Sequence, residues 1–174
     1  MTGYIGCAGL VLILLFIVLL FVRRKKIEKG VEEFYKKNQF FGVKELPESI
    51  SQAIGNGNWI YLKSSLVVEH KPFEFYWLES STTSTTFVNN SAQTTINCFL
   101  TIAFPPNTVS FEFMQKAEKL KETEARKLDF FSLNTDKPYR VEKLNDGSFI
   151  ISWQVLNRAD IFQKKIDWLQ QNLT

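Results

Sequence analysis

Histidine occurs once in this chain and cysteine twice. That scarcity removes whole classes of chemistry. Zinc centres draw three or four ligands, chiefly from His and Cys, so no metal site is expected. A Ser-His-Asp or Cys-His arrangement would have to use His70. Nothing near it marks a nucleophile, because Ser64-Ser65 lacks the Gly-x-Ser-x-Gly setting of a nucleophile elbow. His70 therefore reads as a surface or strand-end residue. No Cys-x-x-Cys occurs. Cys7 lies in an apolar N-terminal run and Cys98 in an expected strand, so they are not expected to pair. This usage suits a reducing compartment. A phosphate-binding loop is also missing. Gly55-Asn56-Gly57 has no strand before it and no Lys-Ser/Thr after it, and it reads as a turn. No cofactor is expected.

Charge is absent from Gly3 to Val22, and Arg23-Arg24-Lys25-Lys26 follows at once. Twenty helical residues span roughly 30 Å, the thickness of a bilayer's hydrocarbon core. A cleaved signal peptide needs a basic segment before a short apolar core and small residues after it. Here no Lys or Arg precedes the core, the core is long, and four cations stand at its end. Cys7 precedes the apolar core, where a lipoprotein-signal cysteine would follow it. The expectation is one uncleaved transmembrane helix over residues 1–22, with the lipid bilayer as its first partner. Cations beside a membrane helix stay on the cytoplasmic side. The flanking cluster Arg23, Arg24, Lys25 and Lys26 thus predicts an N-terminus outside and residues 23–174 in the cytoplasm. The same cluster supports contact with anionic lipid, worth about 1 kcal/mol per cation near the surface.

The formal charge of +3 is concentrated in this flank. Residues 23–29 carry a net +4, so residues 30–174 carry −1. A near-neutral domain lacks the electrostatic footprint of nucleic-acid binding. Sixteen phenylalanines and four tryptophans, mostly in alternating or helical patterns, supply a sizeable core. About 150 residues after the anchor suit one domain.

Ile27, Val31, Phe34 and Tyr35 recur at helical spacing, so the first helix is expected to continue to Lys37 as an amphipathic stalk. A short helix is expected from Pro47 to Ile54, stopped by Gly55. Strand signals follow at Trp59–Leu62, Leu66–Val68, Phe73–Leu78 and Thr94–Phe104. The run Ser80–Thr86 is polar and reads as a long hairpin loop or frayed edge. Phe111–Leu128 is a helix candidate with mixed charges from Lys116 to Lys127, the pattern of a solvated face. Tyr139–Leu144 and Ser148–Val155 flank Asn145-Asp146-Gly147, which predicts a hairpin with a type I′ turn. Phe162, Ile166, Leu169 and Leu173 form the apolar face of a closing helix, with Asn157 as its cap.

Strands in runs, not alternating with helices, predict an α+β domain: a mostly antiparallel sheet packed by two or three helices. The expected organisation is a transmembrane helix (1–22), a basic flank and stalk (23–45) and a soluble α+β domain (46–174). Asp129, Asp136, Asp146 and Asp160 sit at turns and helix starts and read as local capping residues. The leading functional expectation is a membrane-anchored protein whose domain binds a protein or lipid partner without catalysis. A structural subunit of a membrane complex is the second class; Gly3, Gly6 and Gly9 only suggest helix pairing, since strict Gly-x-x-x-Gly spacing is absent. A membrane-surface enzyme is the third, and would need His70 to meet Tyr139, Arg140 or an Asp.

Overall fold

The structure is a computed structural model. It describes the backbone of residues 2–88, 91–120 and 137–173, and the side chains of residues 11–82, 98–120 and 137–173. Among these residues the fold is α+β: four helices and one six-stranded antiparallel sheet. The order along the chain is α1 (Thr2–Lys37), β1 (Phe41–Gly42), α2 (Glu48–Ile54), β2 (Trp59–Val68), β3 (Lys71–Val88), β4 (Ser91–Phe104), α3 (Phe111–Leu120), β5 (Arg140–Lys143), β6 (Phe149–Val155) and α4 (Ala159–Asn172). The sheet order is β1-β2-β3-β4-β6-β5.

Alternation decides which residues meet which layer. Phe75 and Trp77 of β3, Leu100, Ile102 and Phe104 of β4, and Phe149, Ile151 and Trp153 of β6 share one face. That face is covered by Val31 and Phe34 of α1, Phe113 and Ala117 of α3, and Phe162, Ile166 and Leu169 of α4. The opposite face holds Leu78, Ala103 and Ile150, capped by Ile50 of α2. Arg140 Nη1 donates to the Ala53 carbonyl at 2.7 Å and Ser49 Oγ donates to Asp146 at 2.5 Å, which ties α2 to the β5–β6 hairpin.

Helix α1 ends at Lys37, as its spacing predicts, but the segment read as a stalk is part of the core: Phe34 is 4% exposed. Its end is a Schellman motif. Gln39 N–H donates to the Lys36 carbonyl, and Phe40 N–H to the Tyr35 carbonyl at 2.9 Å. Gln39 takes a φ of 53°, and the Phe40 ring packs back on Phe34 and Tyr35. Ser64 Oγ donates to the Asn38 carbonyl at 2.7 Å, so the hydroxyl is a helix-end donor.

Among the described residues no helix is long and apolar enough to cross a membrane. The described side chains of α1 begin at Val11, and the run Val11–Val22 reaches only about 18 Å at 1.5 Å per residue. The rest of the expected span, residues 1–10 with Cys7 and the small-residue series Gly3, Gly6 and Gly9, lies outside the described side chains.

Several local expectations are corrected. Trp59–Val68 is one strand, and the Ser80–Thr86 run is no loop: β3 pairs with β4 through Val88↔Ser91. Threonine's branched side chain suits extended backbone, and the ladder satisfies its amides. The β2–β3 turn is Glu69-His70, at φ 49° and 67°. Neither residue carries the Asn-Gly signal of a hairpin. At Asn145-Asp146-Gly147 only Gly147 has positive φ (88°), and its N–H donates to the Leu144 carbonyl. This is a three-residue loop closing on a left-handed glycine, not a type I′ turn. The cap position of α4 is Arg158, not Asn157, and it makes no side-chain cap bond. Helix α3 starts at Phe111 as helix, and the rest of the expected segment, Lys121 to Leu128, lies outside the described residues.

Left-handed backbone costs a residue with a Cβ about 1–2 kcal/mol. Gln39→Gly is therefore expected to raise the unfolding free energy by about 1 kcal/mol. Urea unfolding of the variant beside the parent chain checks this; a loss of stability contradicts it.

Candidate functional site

Two features of the fold stand apart from its core. The first is on α1. Every side chain from Val11 to Val22 is large, apolar and 50–67% exposed. Monomeric soluble proteins rarely leave such a continuous apolar surface uncovered. The sleeve ends at Arg23, Arg24, Lys25 and Lys26, all exposed. Arg24 pairs with Glu28 at 2.8 Å along the helix, and the Lys25 ammonium lies 5.3 Å from the Phe21 ring centroid.

The second feature is a recess of about 390 Å³ between the first residues of β2, the middle of β3, the end of β6 and the approach to α4. Asn58, Ser80, Ser81 and Asn157 supply polar lining, and Trp59, Phe99 and Phe162 supply aromatic walls. Glu79 lines it and is 7% exposed. Strand alternation puts Glu79 there, because it continues the core-facing series Phe73, Phe75, Trp77. Its Oε1 accepts from Tyr35 Oη at 2.5 Å and from Trp77 Nε1. No salt bridge among the described residues involves Glu79. The other buried charge among them, Lys165, lies with its ammonium 5.1 Å from the Trp153 ring centroid.

Burial pushes the Glu79 carboxyl above the usual carboxylate range, against the two hydrogen bonds, which lower it. Tyr35 is pushed far up, first by burial and then by the neighbouring Glu79 charge, so its hydroxyl stays a donor. Cys98 also lines the recess; burial raises its thiol, while the Asn157 backbone N–H bonds the sulfur and opposes the rise. A thiol held protonated is a weak nucleophile.

The residues singled out from sequence do not gather here. His70 is exposed at the tip of the β2–β3 hairpin. Tyr139 and Arg140 lie beside Ser152, three strands across from β3. Strand rise and spacing place them roughly 30 Å from His70. Asp146 holds the Ser148 N–H and the Ser49 hydroxyl, and those bonds lower its pKa. Asp160 pairs with Arg158 at 2.7 Å. Asp129 and Asp136 lie outside the described residues. No group of His, Cys, Asp and Glu among the described residues is arranged to hold a metal ion. Sequence reasoning missed Tyr35, Trp77 and Glu79 as a unit; the available signal was an acid on the core parity of β3. Comparison with protein-family models, curated proteins and solved structures finds no match.

A carboxyl whose pKa is raised on folding adds stability that is complete below its unfolded value and is lost as pH rises through the folded value. Glu79→Gln keeps an oxygen for Tyr35 and Trp77 and removes the ionisation. Urea unfolding between about pH 4 and pH 8 should give a flatter stability profile for this variant than for the parent. Parallel profiles would show that Glu79 does not titrate abnormally.

Proposed function

We propose that this chain is a single-pass membrane-anchored protein whose α+β domain binds a partner at the cytoplasmic membrane surface without catalysis. The uninterrupted apolar sleeve Val11–Val22, ending at four cations, carries the reading. Together with the uncharged residues from Gly3 to Leu10, it makes a run of bilayer length. The four cations favour the cytoplasmic side for the domain.

The helix also supports a close, fixed placement. From Val22 to Val31, the first α1 residue in the core, is about 14 Å of continuous helix. A domain held at that distance sits against the headgroup region. It has no flexible linker with which to sample the cytosol. The lack of convergence among His70, Tyr139, Arg140 and the described aspartates favours binding over chemistry. The other class, a structural subunit of a membrane complex, shares the anchor and differs in its partner.

Expressed at full length, the protein should remain with the membrane pellet in alkaline carbonate and leave it only with detergent. Removal of residues 1–22 should release it, and the domain should be digested by protease added from the cytoplasmic side. Full-length protein found in the carbonate supernatant would contradict the anchor, and protection from cytoplasmic protease would contradict the orientation.

A further inference from the structure

Among the described residues, the acid in the recess has no countercharge. Buried carboxylates are normally paired with a cation or kept neutral, because an isolated buried charge costs several kcal/mol. Glu79 has two neutral donors, Tyr35 and Trp77, on one oxygen, and no lysine or arginine pairs with it among the described residues. Beside it lies space for a small molecule. About 390 Å³ falls within the range of ligand pockets. The walls have the composition that ammonium recognition uses. Asn58, Asn157 and Ser81 also line the recess and carry oxygens that can accept from N–H donors. Phe162, on the same face of the sheet as Glu79, adds an aromatic ring to the lining. We infer that the recess is a binding site for an organic primary ammonium group, with the Glu79 carboxylate as its counter-ion.

The position in the fold bears on where such a group comes from. Gly30 of α1 brings that helix against Ala159 at the start of α4; a Cβ at Gly30 would lie 3.8 Å from that of Ala159. Asn157 lines the recess two residues before Ala159. Moving along α1 from Asn38 to Tyr35, the contacts move from Ser64, paired with Phe75, to Glu79. The recess therefore lies beyond the level of Ser64 and Phe75, in the direction in which α1 runs on its way to the apolar sleeve. An ammonium group there is supplied either by a lipid headgroup or by a free amine. The headgroup source rests on the membrane reading above. The ammonium site itself does not.

Binding requires Glu79 to be ionised, so a protonated Glu79 must release its proton to solvent as the cation enters. Affinity should thus tighten as pH rises, by up to about tenfold per unit below the carboxyl's folded pKa. The Trp77 indole N–H, which donates to the same carboxylate, is the reporter. The full-length chain in maltoside micelles would be titrated with ethanolammonium chloride, with sodium chloride as the ionic-strength control. Trp77→Phe assigns the signal among the four tryptophans.

The expected result is a saturable shift of the Trp77 indole signal with ethanolammonium and none with sodium, tightening from pH 5 to pH 8 as above. Glu79→Gln should weaken binding at least about tenfold, the loss of one charge-assisted contact. Ser81→Trp should fill the recess and abolish binding while leaving the indole signal in place, which shows that the fold persists. No saturable shift in the folded parent chain, or equal binding by Glu79→Gln, overturns the site. Micelles doped with phosphatidylethanolamine or phosphatidylcholine separate the sources. A shift with phosphatidylethanolamine assigns the headgroup, and a shift with soluble ethanolammonium alone assigns a free amine. A chain that fails carbonate retention would remove the anchor and leave the soluble-amine titration as the test of the site.

Discussion

The junction of Phe34, Tyr35, Trp77 and Phe162 is the contact on which the rest of this structure depends. Phe34 lies 5.6 Å from both Trp77 and Phe162, ring centre to ring centre, and Trp77 meets Phe162 edge-on at 5.3 Å. Phe40, turned back by the Schellman motif, closes the group against Trp77 at 5.2 Å. Aromatic pairs of this geometry add about 0.5–1.5 kcal/mol each beyond the area they bury. Three elements far apart in sequence, α1, β3 and α4, are held by one cluster. The Tyr35–Glu79 bond adds direction to what would otherwise be a non-directional apolar contact. Because the cluster seals one side of Glu79, it also creates the low-dielectric setting that raises that carboxyl.

On the proposed reading, this junction converts a tether into a mount. An anchor followed by a flexible linker would leave a domain free to rotate. Here α1 is helical to Lys37 and buries Val31 and Phe34. Its uncovered apolar stretch and its core-facing stretch belong to one rod. The recess beside Tyr35 then has a fixed address relative to the basic collar Arg23–Lys26. On the proposed reading, orientation is the anchor's second contribution after localisation.

Much of the architecture was legible because periodicity and punctuation agree in this chain. Helix α2 lies between Pro47 and Gly55, and the apolar face of α4 follows Phe162, Ile166 and Leu169 as spacing predicts. The α+β class follows from strands in runs. What escaped was set by tertiary context. Glu69 and His70 adopt left-handed backbone without glycine, so nothing local announces that turn. The β-strand Phe41–Gly42 is too short for a pattern and exists because β2 offers an edge. The threonine-rich stretch looks like a loop by polarity, yet its backbone ladder makes it a strand. The recess is the hardest case. Glu79 was visible as an acid at a core parity, but Tyr35 is 44 residues away, and only folding brings its hydroxyl to the carboxylate.

The central claim is that α1 is one element with the sheet, continuous from the basic collar into the core. Amide hydrogen exchange on the full-length protein tests it most directly. If the claim holds, amides from Ile27 to Lys37 exchange as slowly as those of β3 and β4, through the same cooperative opening. Phe34→Ala should speed both segments together. Fast, independent exchange across Ile27–Lys37, with the sheet still protected, would contradict the account and leave α1 as a flexible tether.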